Sequence, residues 1–505
     1  MSMELTEVPA TNLPAVGIKP RTIPITVAAG DGIGPEILAA TLVILAAAGA
    51  PIDAEFVEVG ENIYRQGITS GIPKETWDSI ERTRVMLKAP ITTPQGGGYK
   101  SLNVTLRKTL GLYANVRPCR TYSPIVATRH TSFDVVIVRE NEEDLYAGIE
   151  HRQTQDVTQC LKLITRKGSE RIVRYAFEYA RKENRRKVTC MIKDNIMKLT
   201  DGLFHRVFDE IAEEYPGIEA NSQIVDFGMA NFVHQPNQYD VVVLPNLYGD
   251  ILSDIAAQMT GSVGLGGSVN IGAHNAIFEA IHGSAPDLPR DVANPSGLLL
   301  AGIEMLKHIG YHRAATRATN AWLKTLEDGI HTADIAGEQT VVEAGTMRFT
   351  EAVIERMGQL PQIFAPAEEI NENAEIAIGH APGLTRERII VPQTKTLVGV
   401  DVFVDWRGDD PTELAQILTA ATPESVLGLR MVTSRGVKVW PEGHSDTLLT
   451  DHWRCRFESR DAIRLSNQHI ADLLRDLATA NVDFIKTEHL HCFDGEPGYA
   501  LGQGQ

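Results

Sequence analysis

The stretch Gly30-Asp31-Gly32-Ile33-Gly34-Pro35-Glu36, "GDGIGPE", follows an extended apolar run at residues 23–28 and opens an Ala-rich one at residues 37–48. Strand, glycine turn and helix in that order is how a dinucleotide-binding unit begins, so the spacing of the glycines separates two kinds of α/β fold. The Rossmann fingerprint requires G-x-G-x-x-G and a later acidic residue for the ribose, whereas this stretch runs G-x-G-x-G and then Pro35. It also reads as a tight βα turn and nothing more: glycines supply unusual φ angles, and Pro35 starts the helix where its missing N–H costs nothing.

Outward from that turn, extended apolar runs alternate with helical ones to about residue 350: "VVIVRE" (135–140), "KVTCMI" (187–192) and "DVVVLP" (240–245), separated by amphipathic segments such as "SERIVRYAFEYARKE". Such alternation predicts an α/β architecture with much parallel sheet under helices. Residues 359–394 are rich in Pro and acids and read as a linker. Beyond it, strand and helix patterns follow in the order β-α-β-β-α-β of a ferredoxin-like unit. From Lys395 to the C-terminus 11 Lys+Arg face 17 Asp+Glu, which argues against a nucleic-acid role for this module.

A chain of 505 residues divides into two to four domains, and its formal charge of -17 repels nucleic acid and anionic lipid as a whole. The longest apolar run, near residues 37–50, is too short to span a bilayer, and the acidic start "MSMELTEVPA" is no secretory signal. Five scattered cysteines without a C-x-x-C pair indicate reduced thiols and a cytoplasmic location, and argue against structural zinc. Any anionic ligand must therefore be captured by a local basic cluster.

The most informative such cluster is "SLNVTLRKTLGLYANVRPCR". Ser101 stands at an N-cap position, Gly111 at a helix end, and Asn103 and Arg107, four apart, share one helix face. Arg117 follows in an extended segment and Arg139 ends the strand "VVIVRE". Three guanidiniums from three elements suit a polycarboxylate, although each arginine by itself also reads as a solvated surface residue. In "LPNLYGDILSD", Asp250 and Asp254 lie at i and i+4 on one helix face; they suit a hard divalent cation, or a cap and a solvated acid. Asp226 stands at a strand end, Lys193 just beyond another, and Tyr146 sits in "RENEEDLYAGIE"; each is a candidate proton-transfer group or an ordinary packed or solvated residue.

Taken together, "GDGIGPE", "SLNVTLRKTLGLYANVRP", "VRENEEDLYAGIEH", "IKDNIMKLTDG", "NLYGDILSD" and "FEAIHGSAPD…ANPSG" resemble, in this order, the motifs of the β-decarboxylating dehydrogenases, and among them the isocitrate dehydrogenases. The C-terminal segment "VGVDVFV…DHWRCRF…FDGEPG" is similar to the extension of a longer bacterial subgroup, so the resemblance spans nearly the whole chain. It implies a two-domain isocitrate/isopropylmalate dehydrogenase-like fold, not a Rossmann fold, plus a C-terminal α+β ferredoxin-like module. Residues 1–112 and 261–358 then form a large domain, and 113–260 a small one with an intersubunit clasp near 146–166. The linker at 359–394 leads to the module at 395–505.

The resemblance also assigns roles. It implies oxidative decarboxylation of isocitrate to 2-oxoglutarate, dependent on Mg2+ or Mn2+. Tyr146 donates a proton to C3, Lys193 and Asp226 handle the C2 hydroxyl proton, and Asp226, Asp250 and Asp254 hold the metal. Ser101, Asn103, Arg107, Arg117 and Arg139 bind the carboxylates, while Thr93, His282, Gly283, Ala285, Asp287, Leu288 and Asn294 surround the dinucleotide. Lys193 and Asp226 cross from a neighbouring subunit, which implies at least a homodimer. NADP-using relatives place a Lys-Tyr pair after "HG(S/T)AP", where this chain has Asp287 and Leu288, and a Tyr and an Arg where it has Ala333 and Gly337. The expectation is accordingly NAD, with Asp287 accepting from the ribose hydroxyls and repelling a 2′-phosphate. A 3-isopropylmalate or homoisocitrate dehydrogenase and a non-catalytic regulatory subunit are the alternatives. The polar Ser101 and Asn103 weigh against the former, and the retained Tyr146, Lys193 and three aspartates against the latter. The C-terminal module is expected to reinforce an oligomer rather than bind an effector.

Overall fold

A computed structural model describes residues 22–68, 70–93, 101–368, 392–461 and 463–502. The acidic start, the "PQGGG" beside Thr93 and most of the linker at 359–394 lie outside the described residues.

The chain lays down β1 (Ile23–Ala28), β2 (Ile52–Val57), β3 (Val85–Lys88), β4 (Ala114–Arg120) and β5 (Asp134–Glu140). A separate antiparallel ribbon follows, β6 (Glu150–Arg152) with β7 (Thr158–Cys160). Then come β8 (Lys187–Ile192), β9 (Glu219–Ile224), β10 (Val241–Leu244), β11 (Gly267–Ile271) and β12 (Ala276–Ala280). Apart from the ribbon these form one ten-stranded sheet in the order β2-β1-β3-β12-β11-β4-β5-β10-β8-β9. Each half is parallel, and antiparallel pairing of β11 with β12 and β4, and of β4 with β5, joins the halves. The strands read as unbroken apolar runs because helices cover both faces. All four residues of β10 are buried.

The helices are α1 (Gly34–Ala47), α2 (Glu61–Arg65), α3 (Lys74–Thr83), α4 (Leu102–Thr109), α5 (Arg166–Lys182), α6 (Thr200–Ala212), α7 (Val225–His234), α8 (Asn246–Met259), α9 (Ser296–His308), α10 (His312–Glu327) and α11 (Thr346–Glu355). α5 shows how sequence sets such a helix. Thr165 caps it by accepting the Gly168 N–H at 3.0 Å, and Ile172, Val173, Ala176, Phe177 and Ala180 form one buried stripe. Among the described residues no helix is long and apolar enough to cross a membrane.

Gly30 and Gly32 both have positive φ, 63° and 59°. A Cβ on Gly30 would lie 2.1 Å from the Pro90 carbonyl oxygen, and one on Gly32 2.0 Å from that of Ser284. The glycine turn is thus shaped by close approach to the protein's own backbone, including the loop after β12, onto which Ile33 N–H donates at 2.9 Å.

Two short strands, β13 (Ile330–His331) and β14 (Val342–Glu343), precede the C-terminal unit. That unit comprises β15 (Lys395–Asp405), α12 (Pro411–Ala421), β16 (Leu427–Ser434), β17 (Val437–Trp440), β18 (His452–Ser459), α13 (Asn467–Thr479), β19 (Phe484–Phe493) and β20 (Glu496–Pro497). Its sheet is antiparallel in the order β17-β16-β18-β15-β19-β20. Without the short β17 and β20 this is the 4-1-3-2 arrangement of a ferredoxin-like unit, as the strand pattern predicts. It has its own core, centred on Trp453, Phe457, Leu414 and Leu473.

Candidate functional site

Where β4, β5 and α8 meet, five of the expected residues form one constellation. Arg139 ends β5 and is buried; its Nε and Nη2 donate to Asn246 Oδ1 at 3.0 and 2.8 Å, and its Nη1 donates to Asp250 Oδ1. Arg117 donates from Nη1 to Ser253 Oγ at 2.6 Å and to Asp254 Oδ1 at 3.1 Å, with Asp250 3.6 Å from Nη2. Tyr146, in a short 3-10 turn, donates its hydroxyl to Asp250 Oδ2, and the Arg139 guanidinium lies 4.9 Å from its ring centroid. Asp250 is in the second turn of α8 and is therefore not its cap.

The electrostatics follow from crowding of like charges in a partly buried place. Burial, then Arg107 and Arg117, lower the Arg139 pKa to about 10. Burial alone raises the Asp250 carboxyl, but Arg139 and Arg117 outweigh it and hold the group below its ordinary value. Asp254 is raised, by burial and then by its neighbour Asp250, with Arg117 opposing. Tyr146 is raised, first by burial and then by the hydrogen bond to Asp250, so its hydroxyl keeps its proton at neutral pH.

Arg107 sits on α4 and donates to Glu279 Oε1 at 3.1 Å; Lys88 Nζ lies 2.6 Å from the other oxygen, and Asn270 Nδ2 donates at 2.8 Å. Lys88 and Glu279 are register partners on β3 and β12. Burial pushes the Glu279 carboxyl up, yet Lys88 and Arg107 pull it far below its usual range, so it stays ionised. Asn103 and Arg107 share a face as their spacing predicts, and Asn103 Oδ1 and Arg107 Nε are buried without a partner among the described residues. Ser101 holds the N-cap position, but its side chain caps nothing; Thr93 Oγ1 lies 3.3 Å from its hydroxyl.

Lys193 and Asp226 form a second, more open pair. Lys193 follows β8, Asp226 is in the first turn of α7, and Nζ to Oδ1 is 2.6 Å. The hydrogen bond from Lys193 lowers the Asp226 carboxyl below its ordinary value. Around them Ile196, Leu199 and Phe227 are exposed at 69%, 47% and 65%. Among the described residues no three His, Cys, Asp or Glu side chains form a metal-holding group, so Asp226 is not brought to Asp250 and Asp254 within one chain.

The loop after β12 carries the expected dinucleotide residues. His282 Nε2 is buried without a partner among the described residues, and burial lowers the imidazole's pKa, so the ring is neutral at pH 7. Among the described residues nothing lies within 4 Å of where a Cβ on Gly283 would stand, and Ala285 has a φ of 40°. Asn294 is committed to structure, donating to Asp334 Oδ2 at 3.1 Å and accepting from Ser296 N–H at 2.9 Å. Asp287 and Leu288 are exposed, Leu288 by 41%. An orphaned buried polar atom and an open glycine wall fit a bound dinucleotide. The oxygen-only donors of α8 fit a hard divalent cation.

Sequence reasoning missed the polar layer beneath the arginines: Lys88, Glu279, Asn270, Asn246 and Ser253. A charge within a short buried run, such as Glu279 in "AIFEA", was the available signal.

The isocitrate/isopropylmalate dehydrogenase family pattern matches residues 24–353, and the C-terminal domain of bacterial isocitrate dehydrogenase matches 395–505. A Rickettsia bellii protein named isocitrate dehydrogenase [NADP] is 51% identical over 95% of this chain and 99% of its own. A Thermus thermophilus protein of the same name is 44% identical over 95% of this chain and 96% of its own. A Thermus thermophilus crystal structure, at 44% identity, superimposes with a TM-score of 0.89 over 95% of this chain and 96% of its own. These relatives overturn the expectation of NAD, and they do not favour the isopropylmalate, homoisocitrate or regulatory-subunit alternatives. The physical reason lies at Asp287. It is exposed, and two unit charges 4 Å apart in water interact by only about 1 kcal/mol, too little to exclude a 2′-phosphate. By both matches this chain belongs to the isocitrate/isopropylmalate dehydrogenase family, in the longer bacterial isocitrate dehydrogenase branch that carries a C-terminal domain.

Proposed function

We propose that the chain oxidatively decarboxylates isocitrate to 2-oxoglutarate and CO2 with NADP and a divalent cation, Mg2+ or Mn2+. The observation that carries the substrate is the convergence of Arg107, Arg117 and Arg139, with Asn103, whose Oδ1 has no partner among the described residues, on the face of Arg107. Three forked cations suit a tricarboxylate, and a polar residue at Asn103 suits the γ-carboxylate, with Ser101 beside it. The NADP-named relatives support the cofactor.

Thr93, His282, Gly283, Ala285, Asp287, Leu288 and Asn294 would hold NADP, which would supply a hydride acceptor. Asp250 and Asp254, with Asp226 of a second copy, would hold the cation, which would supply Lewis-acid electron withdrawal. The chain's own groups move the protons. Lys193, which donates to Asp226, passes its own proton to that carboxylate as it takes the C2 hydroxyl proton. Tyr146, protonated at neutral pH, returns one to C3 after CO2 leaves. Separate groups, on different elements of the chain, thus serve as acid and base.

We further propose a homodimer, since Lys193 and Asp226 stand apart from Asp250 on a surface with exposed Phe227, Ile196 and Leu199. The β6–β7 ribbon serves as its clasp, and domain boundaries fall near residues 112 and 260. Five free cysteines suit the reducing cytoplasm.

The test is the purified chain alone with isocitrate, NADP and Mn2+. It should release CO2 and reduce NADP one for one, and EDTA should abolish both until metal is restored. Isocitrate binding without CO2 release would sink the proposal.

A further inference from the structure

The junctions that carry Tyr146, Lys193 and the start of α8 converge on one buried ammonium. Lys162 stands between β7 and α5 with a side chain 12% exposed; its Nζ is 2.8 Å from Asp201 Oδ1 and 3.4 Å from Asp144 Oδ1, and both acids are fully buried. Neither of those two oxygens accepts a well-aligned hydrogen bond among the described residues; the ammonium, with the Tyr248 hydroxyl also against Asp201, is what offsets their charge. The Tyr248 ring lies under the same nitrogen, 4.4 Å from centroid to Nζ, and its hydroxyl is 3.4 Å away.

The second oxygen of each acid does the positioning. Asp201 Oδ2 accepts the backbone N–H of Lys193 at 2.7 Å. Asp144 Oδ2 accepts the N–H of Leu247, in the first turn of α8 and three residues before Asp250, at 2.9 Å. Asp144 also begins the 3-10 turn that holds Tyr146, with a φ of 64°, and its own N–H donates to Leu163 O at 2.8 Å. Two buried carboxylates with one cation between them are held only while the cation is there, because a desolvated acid without a partner neutralises or moves. Burial opposes the charge on Lys162, but Asp201 and Asp144 outweigh it and raise the pKa, so the cation is always present.

We propose that Lys162 is a positioning residue that, through Asp144 and Asp201, fixes the Tyr146 turn and the start of α8 relative to the Lys193 segment. The inference rests on the proposed function for its effect on turnover. Under the dimer reading, Tyr146 serves its own chain's cleft and Lys193 the neighbour's, so the same ammonium ties the two sites of the dimer together.

The experiment compares Lys162→Met and Lys162→Arg with the unmodified full-length chain, each confirmed folded by its melting transition. For Lys162→Met, kcat for isocitrate oxidation should fall ~100-fold, the cost of displacing catalytic groups by about 1 Å. KM should change less than about threefold, because Arg107, Arg117 and Arg139 are anchored on Glu279, Ser253 and Asn246 instead. Lys162→Arg, which keeps the charge, should recover ~10-fold of the loss. The amide hydrogens of Leu247 and Lys193 should exchange ~10-fold faster in Lys162→Met, while that of Gly168, capped by Thr165, should not change. A folded Lys162→Met with kcat within about threefold of the parent, or with both amides unchanged, overturns the proposal. Should that variant not fold, Lys162→Gln combined with Asp201→Asn removes one charge of each sign and is read by the same kcat and exchange criteria. If the unmodified chain itself does not turn over isocitrate, the proposed function fails, and the exchange rates of the two amides alone decide the role of Lys162.

Discussion

At the scale of single residues, the site is a problem of placing like charges close together. Asp250 receives Arg139 and Tyr146 on its two oxygens and so makes the crowding of three arginines tolerable. Glu140, next along the strand, shows what happens without such a partner. It is buried, and although the N–H groups of Glu142 and Glu143 oppose the effect, burial raises its pKa to about 8. Below its ordinary pKa near 4.5 both folded and unfolded chains hold this proton; as the pH rises from there to about 8 the unfolded chain ionises first, so stability falls through that window and levels off above it. Glu140→Gln, which can still accept both N–H groups, should therefore be more stable than the parent at pH 8 by on the order of 1 kcal/mol per pH unit of the window and little different at pH 4.5. Urea unfolding at the two pH values measures this; a variant equally stabilised at both would show that ionisation is not the cause. Asp287 is the contrasting case, an acid whose exposure leaves it weak. Asp287→Asn should raise kcat/KM for NADP by no more than about fivefold, as expected for one screened charge, in side-by-side kinetics. The sequence exposed the arginines, Tyr146 and the α8 acids because their motifs are long and ordered. It hid Lys88, Glu279 and Lys162 because a buried charge is defined by its partner on another element, and it misjudged Asp287 because solvent exposure is a property of the folded loop.

At the scale of elements, the site depends on how closely α8 approaches β5. Gly249 is one residue before Asp250, and a Cβ there would lie 2.5 Å from Arg139 Cγ and 2.6 Å from its Cβ. Helix propensity alone predicts that Gly249→Ala stabilises by about 1 kcal/mol. The contact decides otherwise, because Arg139 is buried and fixed by Asn246 and has nowhere to go. The variant should lose about 1–3 kcal/mol of stability, as overpacked sites do, and show a raised KM for isocitrate through the displaced guanidinium. A melting scan and steady-state kinetics check both; a gain in stability with unchanged KM would mean that the helix is free to move outward. Element types were legible for the same reason that this contact was not. β5, β8 and β10 are continuous apolar runs, and α5 carries a clean helical stripe, so local pattern suffices. Gly249 looks like an ordinary glycine in a helix, and its meaning arises only from packing against Arg139, 110 residues earlier at the end of β5.

At the scale of the molecule, the long mixed sheet keeps the two proposed proton-transfer groups apart on one chain: Tyr146 against Asp250, and Lys193 against Asp226 among exposed apolar side chains. The C-terminal unit braces the ribbon between them, with Thr154 Oγ1 donating to Asp451 Oδ1 at 2.7 Å and Arg407 Nη2 to Gln155 Oε1 at 3.1 Å. If each working site takes Tyr146 from one copy and Lys193 from the other, Tyr146→Phe and Lys193→Met homodimers each carry two damaged sites. A hybrid of the two variants contains one site that lacks both groups and one that has both. Random pairing makes half of the dimers hybrids with one intact site in two, so co-expressed variants should recover about a quarter of the parent's activity per chain. Activity of the co-expressed mixture, with the hybrid isolated through two different affinity tags, measures it. A mixture no more active than the separate variants means that Tyr146 and Lys193 serve a site within one chain, and the exposed Phe227 surface must then have another purpose.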